Sequence, residues 1–421
     1  MTAANPTLDA LRDDGGVPLR TRLRRAERSR KLRYAALILP LALFVLVVFV
    51  WPIASLLARS VDNPELRDNL PLTLAALERW PDEGLPDAAV FDTFARELEA
   101  ARGSPAIAAI ARRLNREHTG LRSLVMKTAR KLPLADGADA RAELPAIDAQ
   151  WGETETWRTI RRAGSPLTAF YLLSAVDLTT DASGDIVSLP DGEAIYLDVL
   201  VRTLVMSLVV TALCLLLGFP LAYLMATLPV RQSNLLMILV LLPFWTSVLV
   251  RVAAWIVLLQ NGGLVNQALM ALGLTDAPVQ LLFNSIGVYV AMTHILLPFV
   301  VLPLYSVMKG ISPAYMRAAV SLGCPPWRSF WKVYFPQTLP GIGAGALLVF
   351  IMSMGYYITP ALLGGPQEQM ISYFIAFYTN QTINWGMAAA LSAVLLAATL
   401  VLYMFYSRYF GPTRTGQLQP R

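Results

Sequence analysis

Five stretches of this sequence, 34–57, 199–228, 235–259, 286–308 and 386–406, are apolar over the length a bilayer demands, and a sixth, 341–363, reaches it despite its glycines. A hydrocarbon core roughly 30 Å thick, crossed at about 1.5 Å per residue, takes about 20 residues, and in lipid every backbone N–H and C=O must be bonded inside the segment. Helices meet that demand. The expected fold class is therefore an all-α membrane protein with six transmembrane helices. Composition agrees: 15% of residues are charged, against about 25% in soluble domains. That excludes both a disordered chain and an ordinary soluble one.

The net charge of +6 is the sum of three unlike segments. Residues 1–58 carry 9 basic and 4 acidic groups, 59–198 carry 16 and 23, and 199–421 carry 10 and 2. Arg20, Arg22, Arg24, Arg25, Arg28, Arg30, Lys31 and Arg33 precede the first apolar run, as in a secretory signal. That run is longer than a signal's roughly 7–15 apolar residues, and cleavage after Ala58 would leave bulky Leu56 at the −3 position, so it reads as an uncleaved anchor. With six spans, the loops on the amino-terminal side hold Arg231, then Lys309, Arg317, Arg328 and Lys332, then Arg408, Arg414 and Arg421. The opposite loops, 260–285 and 364–385, hold no Lys or Arg, only Asp276 and Glu368. Positive charge stays inside, which makes both termini cytoplasmic. The basic balance thus reports topology and contact with anionic lipid rather than nucleic acid.

The chain divides into a basic cytoplasmic tail (1–33), a first helix (34–58), an extracytoplasmic insert (59–197), a core with helices two to six (198–408) and a cytoplasmic tail (409–421). Inside the insert, "AVFDTFARELEAAR", "PAIAAIARRLNREH", "LRSLVMKTARKL" and "TETWRTIRRA" repeat apolar residues at three-to-four spacing between Pro and Gly punctuation, which predicts a small helical domain. Two cysteines, Cys214 in an apolar run and Cys324 in a basic loop, build no disulfide framework.

No enzyme constellation is present. The two histidines, His118 and His294, have no HExxH pattern or acidic cluster around them, and His294 reads as a helix-packing hydrogen-bond donor. Without GxxxxGK[ST] the chain cannot cradle ATP phosphates, so any ATP-Mg belongs to a partner, and neither metal nor cofactor is expected here. Ionisable groups at membrane depth are usually functional. Arg251 lies inside the third run, where it either lines a path or snorkels to the outer interface. Candidate substrate contacts are the aromatics Trp245, Trp255, Tyr356 and Tyr357, which also suit an interface belt, and the external carboxylates Glu368, Asp276 and Asp198. Gly341, Gly343, Gly345 and Gly355 suit close helix packing.

The cytoplasmic loop 309–340 contains "SPAYMRAAVSLGCPPWRSFWKVYFPQTLPGI". Ser312-Pro313 opens a short helix, Gly323 ends it, and a second helix from Pro325 carries Trp327, Phe330 and Trp331. The series Ala318-Ala319, three residues, Gly323, nine residues, Val333-x-Phe335-Pro336 resembles the "EAA" loop of ABC-importer permeases, E-A-A-x3-G-x9-I-x-L-P. Arg317 stands where that family has Glu. The resemblance covers roughly 198–408. Within it, "PFWTSVLVR" and "ILLPFVVLPLY" look most like the spermidine/putrescine permease family of the PotB/PotH type.

The resemblance implies the type I importer permease fold in a bacterial inner membrane. It also implies that the loop docks on an ATPase dimer, with Arg317, Ala318, Ala319, Gly323, Val333, Phe335 and Pro336 at the contact. A second, sister permease and an extracytoplasmic substrate-binding protein complete the implied assembly. The implied solute is spermidine or putrescine, with an opine-like or other amino-acid-derived solute as the alternative. The insert is a departure, since that family has a short loop there. An ion-gradient transporter would need an intramembrane proton or sodium site and usually an internal repeat, and the sequence displays neither.

Overall fold

The computed structural model describes residues 19–135, 139–180, 185–190 and 192–410. Arg414 and Arg421 lie outside them, as do the side chains of Arg20, Arg22, Arg24, Arg25 and Arg28. Among the described residues, six helices are long and apolar enough to cross a membrane: Arg33–Ala58, Tyr196–Thr227, Val248–Ala271, Ser285–Gly310, Pro326–Met354 and Trp385–Arg408.

The described residues up to Ala58 form one compact unit and those from Arg59 on a second. In the first, α1 (Leu19–Val45) passes through a π-helical turn (Leu46–Val50) into α2 (Trp51–Ala58). The Trp51 N–H reaches back to the Leu46 carbonyl, and Pro52 follows at once. Proline has no N–H for the ordinary bond and its ring crowds the carbonyl four residues back, and a widened turn relieves both.

The second unit opens with α3 (Pro64–Arg67), α4 (Pro71–Glu78), α5 (Ala88–Ala100), α6 (Pro105–Glu117), α7 (Leu121–Lys131), α8 (Ala140–Ile147) and α9 (Thr154–Ala163). The four amphipathic segments read from the sequence are α5, α6, α7 and α9. Their apolar faces converge on a core of their own, centred on Phe91, Phe94, Trp151 and Trp157, whose ring centroids lie 4.4–5.5 Å apart. Both indole N–H groups are satisfied: Trp151 donates to Thr128 Oγ1 at 2.8 Å and Trp157 to the Trp151 carbonyl at 3.0 Å. After α10 (Phe170–Ser174) comes a feature the periodicity did not predict, an antiparallel hairpin of β1 (Leu178–Thr180) and β2 (Ile186–Ser188). Three-residue strands are too short to declare an alternation.

The bundle follows: α11 (Tyr196–Thr227), α12 (Val230–Leu241), α13 (Val248–Leu259), α14 (Leu264–Ala271), α15 (Ser285–Gly310), α16 (Pro313–Ser321), α17 (Pro326–Ser329), α18 (Phe335–Met354), α19 (Ile358–Leu363), α20 (Ile371–Asn380) and α21 (Trp385–Phe410). Its core lies where α11, α15 and α18 pack, around Val210, Cys214, Leu296, Val300, Val301 and Val349. Glycines let the helices approach. A Cβ on Gly345 would stand 3.2 Å from the Val300 carbonyl oxygen, one on Gly341 3.1 Å from Val307, and one on Gly343 2.9 Å from the Tyr406 hydroxyl. Gly355 has no such role; it ends α18.

Two expected spans are drawn differently. The third, 235–259, is broken: α12 yields to a 3-10 turn (Leu242–Trp245), Thr246 and Ser247 are extended, and α13 restarts. Pro243 cannot donate to the Leu239 carbonyl, and its own carbonyl is taken by the Thr246 N–H and hydroxyl at 3.2 and 2.9 Å. The fifth runs Pro326–Met354 rather than 341–363, because a second π turn (Phe330–Tyr334) carries the helix across Pro336 just as the first does across Pro52. The loop's second helix and the span are therefore one rod.

The insert meets the bundle at the start of α11. Asp177, held at φ 57° and buried, accepts the backbone N–H groups of Ile195, Tyr196 and Leu197 at 3.0, 3.0 and 2.7 Å. A carboxylate reaching back from the hairpin thus satisfies the donors of a 32-residue helix whose positive end favours an anion. Nearby, the fully buried Arg113 donates to Asn63 Oδ1 (2.8 Å) and Glu117 Oε1 (2.7 Å) and lies over Phe170 and Tyr171. The Tyr171 ring sits so close to Gly386 that a Cβ there would approach it to 2.5 Å. Burial, against the opposing charges of Arg116 and Arg113, raises the Tyr171 phenol above its ordinary 10.0.

Candidate functional site

Two regions collect the sequence-predicted residues, one at each end of the bundle. Tyr196, beside the insert, and Tyr223, beside the 312–336 loop, are 27 positions apart on α11, about 40 Å at 1.5 Å per residue. Loop and insert therefore lie a membrane thickness apart.

In the loop, Ser312 caps α16, its Oγ accepting the Ala314 N–H at 3.3 Å. Gly323 closes it at φ 87°, where the Gly323 and Cys324 N–H groups bond the Val320 and Ala319 carbonyls at 2.9 and 3.0 Å. Pro326 then starts the second helix, one residue later than expected. Arg317, Ala318, Gly323 and Pro336 are exposed, while Ala319, Val333 and Phe335 are half-buried. Tyr315, Val320, Leu322, Trp327 and Trp331 add exposed apolar surface, Leu322 at 88%.

What holds this knob rigid was not legible in the sequence. Phe330 packs on Phe219 and Tyr223 (6.3 and 5.6 Å between centroids), Tyr334 on Tyr223 (5.4 Å), and Phe335 on Phe219 (5.8 Å). These pairs fasten the loop to the far end of α11. The loop aromatics advertise themselves by spacing, but their partners lie more than 100 positions away.

The second region gathers Arg251, Trp255 and His294. Arg251 and Trp255 are one turn apart on α13 and so share a face. The Trp255 indole N–H points to His294 Nδ1 at 3.3 Å, with ring centroids 5.6 Å apart. His294, expected as a donor, is here the acceptor. Arg251 lies within electrostatic reach of His294 and Tyr356. Its Nε is shielded from solvent and finds no acceptor among the described residues.

The other expected path residues stand apart. Trp245 is 89% exposed on the 3-10 turn, whose neighbour Phe244 packs on Phe299, and Tyr357 is exposed. Asp276 is exposed on the α14–α15 connection, and Asp198 is exposed in the first turn of α11. Glu368 braces the loop after α19: its carboxylate accepts the Ser285 hydroxyl at 3.0 Å and the Gly365 N–H at 2.8 Å.

A family model described as "Binding-protein-dependent transport system inner membrane component" matches residues 218–414. The chain is 34% identical over 216 residues to the spermidine/putrescine transport system permease protein PotB of Escherichia coli (strain K12), covering 51% of this chain and 78% of that protein. It is 31% identical over 230 residues to the inner membrane ABC transporter permease protein YdcU of the same organism, covering 51% of this chain and 72% of that one. A solved bacterial ABC transporter involved in the import of the acidic polysaccharide alginate overlaps at a TM-score of 0.40 and 19% identity, over 52% of this chain and 80% of that one. The insert falls outside the region the family model covers.

Proposed function

Since the chain belongs to the binding-protein-dependent ABC-importer permeases of PotB type, we propose that it forms half of a translocation path for a small polar solute, driven by separate ATPase chains docking on the 312–336 loop. The observation that carries this is the loop itself. It is an exposed two-helix knob with the family's spacing, fastened by Phe330, Tyr334 and Phe335 to a helix that runs the full depth of the bundle. Docking energy applied at Arg317 to Pro336 passes into α18 as one rod, and α18 packs on α15 through Gly341 and Gly345. In this reading the loop end and both termini are cytoplasmic, and the insert faces the binding protein that delivers the solute. The second permease is a sister chain.

The naming of relatives as spermidine/putrescine permeases supports a polyamine as the solute. An amino-acid-derived solute is the second reading, favoured by the guanidinium of Arg251, whose Nε finds no acceptor among the described residues. The test is affinity purification of the full chain from its native membrane, together with uptake of labelled putrescine, spermidine and an opine in a strain lacking it. An ATPase chain and a second permease should co-purify, and one of the solutes should enter only when the chain is present. Purification without any ATPase chain would sink the proposal.

A further inference from the structure

Resting on that permease reading and on its second solute class rather than the polyamine, we infer that the transported solute carries a carboxylate that is held by Arg251. Arg251 lies eight residues before the end of α13 and His294 nine after the start of α15, so both sit about 12–14 Å inside the same end of the bundle. His294 is nonetheless exposed on the surface of this chain. Arg251 beside it is half-buried, and a charged side chain turned toward lipid at membrane depth is unfavourable, which directs this face to an aqueous path shared with the second permease.

The chemistry of the face is one-sided. It offers a guanidinium whose Nε has no acceptor among the described residues, an imidazole, and the rings of Trp255 and Tyr356. After Asp198 the sequence contains two carboxylates, Asp276 and Glu368. Glu368 is committed to Ser285 and Gly365, and Asp276 is exposed on a connection outside the helices.

A bare polycation would meet like charge here and no acid. A carboxylate pairs with the guanidinium, which has no acid partner among the described residues. An ammonium elsewhere on the same molecule can rest on the indole or phenol face. The class is thus a small amino acid derivative.

The experiment uses the full chain, co-purified with its partners, in nanodiscs of zwitterionic lipid. The probes are potassium glutamate and putrescine. The readout is the Trp255-dependent part of the tryptophan fluorescence, defined by difference from Trp255→Phe. Glutamate should give a saturable change and putrescine none. Arg251→Gln should raise the half-saturating glutamate concentration at least tenfold, whereas Arg251→Lys, which keeps the charge, should retain a response. The inference is overturned if glutamate gives no saturable change, if putrescine alone gives one, or if Arg251→Gln responds like the parent. Failure of the glutamate response while the ATPase still co-purifies sinks this inference alone, whereas failure of co-purification sinks the permease reading.

Discussion

Gly323 offers the sharpest test of the coupling loop. Its φ of 87° is left-handed, and a Cβ placed there would meet no atom within 4 Å. A substitution therefore acts through the backbone alone, with no clash to confuse it. An L residue in the left-handed region is disfavoured by roughly 1–2 kcal/mol, less for Asn, whose short polar side chain tolerates it, and more for a β-branched residue. One to two kcal/mol is a factor of about 5–30 in an equilibrium. Gly323→Ala should therefore weaken ATPase binding to the purified permease about 5–30-fold, Gly323→Val should weaken it further, and Gly323→Asn should stay within about threefold of the parent. ATPase titration onto nanodisc-held permease measures the series, solute uptake should follow the same order, and the amount of chain inserted in the membrane should not change. The reasoning is refuted if Asn and Ala behave alike, or if Val keeps the parent's affinity, because the turn would then not depend on the left-handed residue.

Three further outcomes follow from the packing. Asp177→Ala leaves three N–H groups at the head of α11 without their acceptor; a loss of about 1.5–3 kcal/mol should speed hydrogen exchange at Ile195, Tyr196 and Leu197 at least tenfold, and unchanged exchange would refute the capping role. Gly345→Leu forces α15 and α18 apart, since the Val300 backbone 3.2–3.3 Å away cannot yield, and should destabilise the chain in detergent by about 1–3 kcal/mol; Gly355→Ala, whose Cβ meets only the Met352 carbonyl at 3.8 Å, is the control that should not. In the insert, the hydrogen bond from Arg158 above all, opposed by burial and helped by the hydrogen bond from Arg161, holds the Asp82 carboxyl below its ordinary 3.8. A depressed folded value means stability that is present above about pH 4 and lost as the pH falls through the lower folded value. Asp82→Asn should flatten that acid limb, read from the fluorescence of the buried Trp151 and Trp157.

Much of the architecture was legible because its causes are local. Bilayer thickness fixes the length of a spanning helix, so apolar run length alone gave the number of candidate spans and placed four of them, the first, second, fourth and sixth, to within about three residues. Helical periodicity located α5, α6, α7 and α9 to within about two residues. The spacing of Ala318-Ala319, Gly323 and Phe335-Pro336 marked the loop because its turn and cap are set by neighbours in the chain. Apolar run length starts the fifth span at 341, separate from the helix that begins near Pro325, and there the local rule is incomplete: a π turn absorbs Pro336, and the helix continues from Pro326 to Met354.

Tertiary structure alone decided which distant groups meet. That Asp177 caps α11, that Arg113 satisfies Asn63 fifty positions away, that Phe330 grips Phe219 and Tyr223, and that Trp255 meets His294 are all products of how helices pack. The same packing turned Glu368 from a candidate substrate contact into a loop brace. Helix packing depends on the sum of many small dispersion contacts and close glycine approaches, and no single residue type announces it in advance. The sequence determined how many helices are long and apolar enough to cross a membrane and where the two-helix loop lies; the packing decided which distant side chains meet.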